Sequence, residues 1–305
     1  MLSLSTAYLV NKAKSWQEIT ARASALGYNS LELNVEFPEA WLGKALESVE
    51  SGEISISSLH NYCPRLKNVP ENRNIHSAFS FTSQDDEERN TAVKLTKETI
   101  DCAKRLGAGA VVVHAGSVPA EPSGKDLYRY AVSFGLNGRL MENYKSSLKR
   151  TREEQQDKSF ERLVSTLGPV LEHASRVGMP VGLENRIYYD EMPSLQEMVK
   201  LMDMFKGSTA GYWHDTGHAE IMARLGFVKD QSAYLEAFKG NIIGCHLHDV
   251  RKLRDHYAPG SGELDFEALK GYLKDVKIKV VEAHPQASDK EVQAAVKFLK
   301  KTEIV

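Results

Sequence analysis

Carboxylate and imidazole side chains follow short apolar segments at several places in this chain. In YWHDTGHAE the apolar segment ends at Asp215, and His218 stands three positions further on. Comparable segments carry Glu184 in MPVGLENR, His246 in IIGCHLHD and Glu282 in IKVVEAHP. Carboxylates and neutral imidazoles are ligands for Zn, Mn, Co or Fe, and a catalytic ion takes three or four of them with a position left open. These residues therefore indicate a metal site, provided that the chain brings them together.

The elements that position these residues follow from an alternation of strand and helix signals. Each short β-branched segment precedes a longer stretch with apolar residues at three- and four-residue intervals, as in FERLVSTLGPVLEHASRVG. Several of these stretches open with a serine and a glutamate at capping-box spacing. The eight predicted strands are LSLSTAYL at the start, NSLELNV (29–35), ISISSLHN (54–61), GAVVVHAG (109–116), MPVGLENR (179–186), TAGYWHD (209–215), IIGCHLHD (242–249) and IKVVEAHP (278–285).

Eight strand–helix units predict an α/β fold, a closed (β/α)8 TIM barrel, with residues 1–305 as a single domain. The competing doubly wound sheet normally has a G-x-G-x-x-G turn after its first strand, and that position here reads YLVNKAKSW. The carboxyl ends of all barrel strands meet at one face. The four candidate ligands come from the fifth to eighth strands, so one ion near the barrel axis would reach them all.

Other polar residues fall at the same predicted face. His60 and His114 close the third and fourth strands, while Glu32 and Asn34 close the second and either line the pocket or pack. A lone histidine at a strand end is more often a hydrogen-bonded polar residue than a ligand. The histidines that we interpret in this structural way are His76, His173, His214 and His284.

Two connections are too long for plain strand-to-helix loops. Residues 117 to about 160 follow the fourth strand and include the charged stretch KSSLKRTREEQQDKSFER, so this excursion is expected to carry helix of its own. It is either a lid over the active face or, in its charged half, a solvated extension of the fourth helix. The second long connection runs from residue 61 to residue 86.

Composition argues against several classes of protein. The 305 residues carry a net charge of -2 and form no concentrated basic loop, so nucleic acid is not an expected partner, although KSSLKRTR leaves this alternative open. Three widely spaced cysteines without a C-x-x-C pair fit free thiols in a reducing compartment. No apolar run approaches the roughly 18 residues that cross a membrane. We therefore expect a cytoplasmic protein without a membrane partner.

The segments GLENR, HDTGHA, HLHDV followed by DHYAPGSGELDF, and VVEAHP resemble the xylose-isomerase-like TIM barrels. That superfamily holds sugar and sugar-phosphate isomerases and epimerases, inosose dehydratases, hydroxypyruvate isomerases and the apurinic-site nuclease endonuclease IV. The resemblance runs from the first strand to the last, apart from the excursion at 117–160. Its motifs are specific to the superfamily and not to one substrate.

Resemblance to the ketose epimerases implies one divalent ion, Mn, Co, Mg or Zn, in this chain. Its ligands would be Glu184, Asp215, His246 and Glu282. The two glutamates would also move the substrate proton. Removing a proton beside a carbonyl builds negative charge on two adjacent oxygens, and a divalent ion that chelates both stabilises the resulting enediolate.

Four further residues are candidates for substrate binding. The same resemblance places His218 and Arg186 toward the substrate. His256, in the DHYAPGSG loop, would contact the substrate or a second ion, and Asn34 is the candidate from the second strand. The guanidinium of Arg186 suits a phosphate or carboxylate, or alternatively holds a carboxylate ligand in place.

Resemblance to endonuclease IV implies three zinc ions instead. His60, His114 and Glu184 would hold one ion, and the four central residues would hold the second. His218 and His256 would hold the third, together with an aspartate two residues before the last histidine. The chain departs from the pattern there, because that place is an arginine and the nearest acid comes one residue later, in RDH. This departure puts the third ion in doubt.

We therefore expect a divalent-metal-dependent isomerase or epimerase that acts on a sugar, polyol or sugar phosphate. A dehydratase on the same metal site and an apurinic-site phosphodiesterase are the alternatives. The expected partner is a small molecule, and resemblance to the family also suggests a homo-oligomer.

Overall fold

The computed structural model describes residues 1–71 and 73–305, which form ten strands and ten α-helices. The strands are β1 Leu2–Ser5, β2 Ser30–Leu33, β3 Ser55–His60, β4 Ala110–Val113, β5 Val181–Glu184, β6 Ala210–Asp215, β7 Ile242–Leu247, β8 Asp249–Arg251, β9 Arg254–Tyr257 and β10 Ile278–Val281. The helices are α1 Trp16–Ala25, α2 Leu42–Glu50, α3 Asp86–Arg105, α4 Gly124–Phe134, α5 Arg139–Val177, α6 Leu195–Met204, α7 Thr216–Arg224, α8 Ser232–Ala237, α9 Phe266–Leu273 and α10 Asp289–Lys301.

Eight parallel strands close a barrel in the order β1-β10-β7-β6-β5-β4-β3-β2. β10 closes the ring by pairing with β1, where Leu2 lies opposite Lys279. The predicted (β/α)8 TIM barrel is therefore confirmed. The predicted segments extend beyond the strands themselves, so that His114 and Glu282 lie just past the ends of β4 and β10.

Predicted capping residues start the helices that follow the strands. Ser194 and Glu197 form a reciprocal capping box at α6, and Ser288 and Glu291 form one at α10. In each box the side chains satisfy amide groups that the first helical turn leaves unpaired. Gly178 ends α5 in the left-handed conformation, with φ of 69°.

The indole of Trp213 fills the interior of the barrel. Trp213 is fully buried and packs with small and β-branched residues of β4 and β10. A Cβ on Gly182 or Gly244 would run into the indole, so the absence of side chains there makes room for it. The ring centroids of Trp213 and His246 lie 5.2 Å apart, so the indole packs against His246 near the end of β7.

The excursion after β4 contains α4 and the first part of α5. The latter helix is 39 residues long, so the charged stretch KSSLKRTR is helical and continuous with the helix that packs on the barrel. Leu127 and Met141 belong to an apolar cluster with Val250 of β8. The hydroxyl of Tyr128 donates to the carbonyl of Leu253 at 2.7 Å. The excursion carries helix of its own, as predicted, and covers the β8–β9 hairpin.

Two buried acids tie this excursion to the barrel. Arg152 of α5 forms a bidentate ion pair with Glu197 of α6, at 3.1 and 2.7 Å, and both side chains are almost fully buried. The Oδ1 atom of Asp190 accepts the backbone N–H of Gly124 at the start of α4, at 3.0 Å. Burial raises the pKa of Asp190 to about 6.

The connection after β7 forms a hairpin that was not predicted. The predicted strand 242–249 ends early, and Asp249 begins β8 of an antiparallel pair with β9. The Asp249 carboxylate accepts backbone N–H groups of Gly260, Gly262 and Leu264, at 3.0, 2.8 and 2.9 Å. These bonds fold the loop back over the strand ends.

The three cysteines, Cys63, Cys102 and Cys245, are free thiols, as predicted, and the structure buries all three. Among the residues that the structure describes, no helix has both the length and the apolar character to cross a bilayer.

Candidate metal centre

The four predicted metal ligands converge at the carboxyl ends of neighbouring strands. Glu184 and Asp215 end β5 and β6, His246 is the penultimate residue of β7, and Glu282 directly follows β10. All four are buried, and one ligand atom from each lies within 4.8 Å of the others. The Nδ1 atom of His246 lies 2.6 Å from Glu184 Oε1, 3.3 Å from Glu282 Oε2 and 3.7 Å from Asp215 Oδ2. We call these four residues the central cluster.

The central cluster has the chemistry and the spacing of a divalent metal site. A tetrahedral ion with bonds of roughly 2.1 Å separates its ligand atoms by roughly 3.4 Å. Two of the three distances from His246 are close to that separation. Three buried carboxylates at such short range repel one another unless a cation lies among them. The cluster could therefore bind a metal ion, and the same ligand types serve Mn, Co, Mg and Zn.

Two buried partners orient the candidate ligands of the central cluster. Both carboxylate oxygens of Glu32 lie near the Nε2 atom of His246, at 3.2 and 3.1 Å, and Ser58 donates to Glu32 at 2.8 Å. A proton on Nε2 leaves the Nδ1 lone pair free for the centre. His248 Nδ1 accepts a backbone N–H of β9, so its Nε2 carries the proton and donates to Asp215 at 2.8 Å.

Asn185 joins the ends of β5 and β6. Its Oδ1 atom accepts the backbone N–H of Asp215 at 2.7 Å, and its Nδ2 donates to the carbonyl of Asp215 at 3.0 Å. The hydroxyl of Tyr212 contacts Asn185 Oδ1 at 2.8 Å and His214 Nδ1 at 2.9 Å. His214 is fully buried in this network and also faces Gln231. Its surroundings agree with a structural role.

A second group of ligand-type side chains lies beside Glu184. His60 and His114 each place a ring nitrogen within 4.8 Å of a Glu184 oxygen, and we call these three residues the flanking cluster. His114 Nε2 lies 2.6 Å from Glu184 Oε2. Arg186 contacts the same two atoms, with Nη1 2.5 Å from His114 Nε2 and 2.9 Å from Glu184 Oε2. From its other edge, Arg186 donates Nε and Nη2 to Glu191 Oε1 at 3.2 and 3.1 Å.

On the opposite side of Asp215, an acid lies between His218 and His256 despite the departure in sequence. Asp255 Oδ2 is 3.1 Å from His256 Nδ1 and 3.9 Å from His218 Nε2, while Arg254 is exposed. Side chains of an extended strand alternate between its two faces. His256 instead has left-handed backbone, with φ of 57°, which breaks this alternation. The neighbouring side chains of Asp255 and His256 therefore lie together in the site.

Three imidazoles stack next to this acid. The His256 ring lies between those of His248 and His284, at centroid distances of 4.2 and 3.8 Å and interplanar angles of 6° and 12°. Burial lowers the pKa of His284 to about 3, so its ring is neutral. His256 Nε2 points toward Glu282 Oε2 at 3.7 Å. The stack fixes the ring of a predicted substrate-binding residue against the central cluster.

Burial and neighbouring side chains shift the pKa values of Glu184 and His114. Burial alone would raise the pKa of the Glu184 carboxyl, but His246 and His114 beside it hold that pKa well below its usual range. Burial, reinforced by the charge of Arg186, lowers the pKa of His114 well below its ordinary value. His114 Nε2 has close contacts on two sides, with Arg186 Nη1 at 2.5 Å and Glu184 Oε2 at 2.6 Å.

Asn34 is buried just beyond β2. Its Oδ1 atom accepts a hydrogen bond from the Thr6 hydroxyl at 3.1 Å, and its backbone N–H donates to the oxygen of the same hydroxyl at 2.8 Å.

The structure also places residues that sequence reasoning left open or missed. Glu32, left open, is the partner of His246. Glu191 was missed, because no motif marks it and its role depends on Arg186.

Comparisons with known proteins agree with this architecture. Residues 20–302 match the family model described as xylose isomerase-like TIM barrel. An uncharacterized protein of Sinorhizobium fredii, y4fM, is 24% identical over 191 residues, covering 62% of this chain and 51% of that protein. The chain thus spans about half the length of this relative.

Solved structures share the fold over almost the whole chain at low identity. A D-tagatose 3-epimerase-like protein is 18% identical, with a TM-score of 0.67 over 99% of this chain and 96% of that chain. D-psicose 3-epimerase of Clostridium cellulolyticum H10, with D-tagatose, is 12% identical, with a TM-score of 0.69 over 99% of each chain. IOLI protein with a binding zinc atom is 15% identical, with a TM-score of 0.65 over 99% of this chain and 97% of that chain. From its family match, this chain belongs to the xylose isomerase-like TIM barrel family.

Proposed function

We propose that this protein is a divalent-metal-dependent isomerase or epimerase that acts on a sugar, polyol or sugar phosphate by proton transfer beside a carbonyl group. The observation that carries the proposal is the central cluster. Three carboxylates and one imidazole, from four strands that are neighbours in the barrel, meet at one buried point. The structural neighbours named as sugar epimerases support the substrate class.

The two glutamates of the central cluster would transfer the proton. Glu184 ends β5 and Glu282 follows β10, and β6 and β7 separate these two strands in the barrel. They therefore approach a bound substrate from different directions, so that one can remove a proton from one face and the other can return a proton to the opposite face. A divalent ion in the central cluster would supply the Lewis acid that stabilises negative charge on adjacent substrate oxygens.

The proposed substrate-binding residues surround this centre. His218 lies beside Asp215, His256 lies beside Glu282, and Arg186 lies beside Glu184. The His218 Nε2 atom and the ring edge of His256 offer hydrogen bonds to hydroxyl groups. Asn34 stands at the end of β2, where its amide would bind a more distant hydroxyl.

An apurinic-site phosphodiesterase is the second candidate, and one observation favours it. Asp255 restores an acid beside His218 and His256, as a third ion would need. The flanking cluster argues in the other direction, because Arg186 already contacts His114 and Glu184 there. We therefore keep the isomerase or epimerase as the proposal.

The test is a product assay with defined metal content. Chelator-treated protein, reloaded separately with Mn, Co, Mg or Zn, is incubated with D-tagatose, D-fructose, D-ribulose and their phosphates, and products are separated by chromatography. We expect an epimer or isomer of at least one ketose, and loss of that product in Glu282→Gln but not in Glu267→Gln, which alters an exposed glutamate of α9. Cleavage of an abasic-site duplex without turnover of any ketose would instead establish the phosphodiesterase.

A further inference from the structure

The carboxylate of Glu184 faces two cation positions at once. Its Oε1 atom points into the central cluster, 2.6 Å from His246 Nδ1. Its Oε2 atom points into the flanking cluster, 2.6 Å from His114 Nε2 and 3.8 Å from His60 Nε2. A carboxylate arranged in this way can bridge two positive charges, with one oxygen to each.

The side chain of Arg186 supplies the second of these charges. Its Nη1 atom lies 2.5 Å from His114 Nε2 and 2.9 Å from Glu184 Oε2, the two atoms that an ion in the flanking cluster would need. A guanidinium nitrogen at these two distances occupies the position between His114 Nε2 and Glu184 Oε2. An ion therefore cannot bind these atoms until the guanidinium moves.

The guanidinium is held firmly in this position. Glu191 Oε1 accepts from both Nε and Nη2 of Arg186, at 3.2 and 3.1 Å. The other oxygen of Glu191 accepts the backbone N–H of Tyr188 at 2.9 Å, which fixes the carboxylate in turn. The side chain of Arg186 is only 11% exposed. A guanidinium stays charged at every working pH, so the position is permanently filled by a cation.

We propose that Arg186 takes the place of a second metal ion in the flanking cluster and limits this protein to one metal ion, in the central cluster. The inference rests on the proposed function, because it assumes that the central cluster binds an ion. Arg186 also keeps Glu184 oriented, since it binds Oε2 and leaves Oε1 free. His60 and His114 thus form a latent metal site that an internal cation closes.

The experiment counts metal ions and does not depend on a substrate. Wild-type protein, Arg186→Ala and the double variant Arg186→Ala/His114→Ala are stripped with a chelator, dialysed against excess Co²⁺ or Zn²⁺, desalted and measured by elemental analysis. We expect one ion per chain in the wild type, two in Arg186→Ala and one again in the double variant. Arg186→Gln removes the charge but keeps an amide donor for Glu191, so it provides the same test should the alanine variant fail to fold.

Other outcomes overturn the inference. Two ions in the wild type, of which the double variant loses one, would show that the arginine does not exclude a metal from the flanking cluster. One ion in both the wild type and a folded Arg186 variant would also refute the inference, while leaving the proposed function intact. No ion in any of the proteins would remove both the inference and the metal-dependent function on which it rests.

Discussion

An alanine in place of Gly217 would push the ring of His248 away from Asp215. Gly217 lies in the first turn of α7, and a Cβ built on it would fall under 3.0 Å from two atoms of the His248 imidazole, closer than real Cβ atoms approach. Carbon atoms pack at about 3.5–4.0 Å and the new Cβ would lie 2.0 Å from His248 Cε1, so the ring would have to move by about 1.5–2 Å. The ring donates to Asp215 at 2.8 Å, and a shift of that size breaks the bond.

The magnitude of the effect follows from two opposing contributions. Alanine in place of glycine stabilises an open helical position by up to about 1 kcal/mol. Overpacking a buried site costs about 1–3 kcal/mol, and loss of a partner that orients a metal ligand typically lowers metal affinity about 10–100-fold. The matched control is Gly271→Ala in α9, where no neighbouring atom lies within 4 Å of the new Cβ. That variant therefore gains the helical contribution without the clash.

Two measurements compare these variants. Urea unfolding should show a lower free energy of unfolding for Gly217→Ala than for Gly271→Ala, by roughly 1–3 kcal/mol. Titration of metal against a chelator should show weaker binding for Gly217→Ala alone. If both variants are equally stable and bind metal as tightly as the wild type, the role assigned to His248 is refuted.

Three further results are expected. Glu32→Gln should weaken metal binding about 10–100-fold in a chelator titration, because an amide accepts the N–H of the His246 imidazole less strongly than a carboxylate does. An unchanged metal affinity would contradict this prediction. Asp190 has a folded-state pKa of about 6, above its unfolded value, so folding stability falls as pH rises from about 4 to about 6. Compared with the wild type, the variant Asp190→Asn should therefore be more stable by up to about 3 kcal/mol above pH 6 and equally stable below pH 4. Thermal unfolding of both proteins at several pH values measures this difference. Arg152→Met leaves a buried carboxylate without its partner and should cost about 3–5 kcal/mol in urea unfolding, whereas the exposed control Arg150→Met should cost little.

The barrel and the central cluster could be predicted because their signals are local. Each barrel strand lies in a short segment with apolar residues that precedes a helical stretch, and the candidate ligand stands at or just past the end of the strand, as Asp215 does in YWHD. Parallel closure then brings all strand ends to one face without further information. Glu184, His246 and Glu282 meet Asp215 for this reason.

The rest depends on contacts between distant parts of the chain. HLHD extends the apolar segment of β7, so it predicts a continuing strand, but the Asp249 carboxylate instead binds backbone N–H groups of the following loop. Asp255 stands out of register with the expected motif, but the left-handed backbone of His256 breaks the strand alternation, and Asp255 lies beside His256 in the site. Arg186 could be proposed as a substrate ligand or as a carboxylate partner, and its contacts with His114 could not be read from ENR alone.

Solvent deuterium incorporation tests the central claim most directly. Metal-loaded protein is incubated in D₂O with the ketose or ketose phosphate that it converts, and substrate and product are analysed by mass spectrometry and NMR at early times. Transfer between Glu184 and Glu282 predicts a product with one deuterium at the inverted or newly protonated carbon, and no labelled product from Glu282→Gln. Conversion without deuterium in the product, or at the same rate after removal of the metal, would contradict the account.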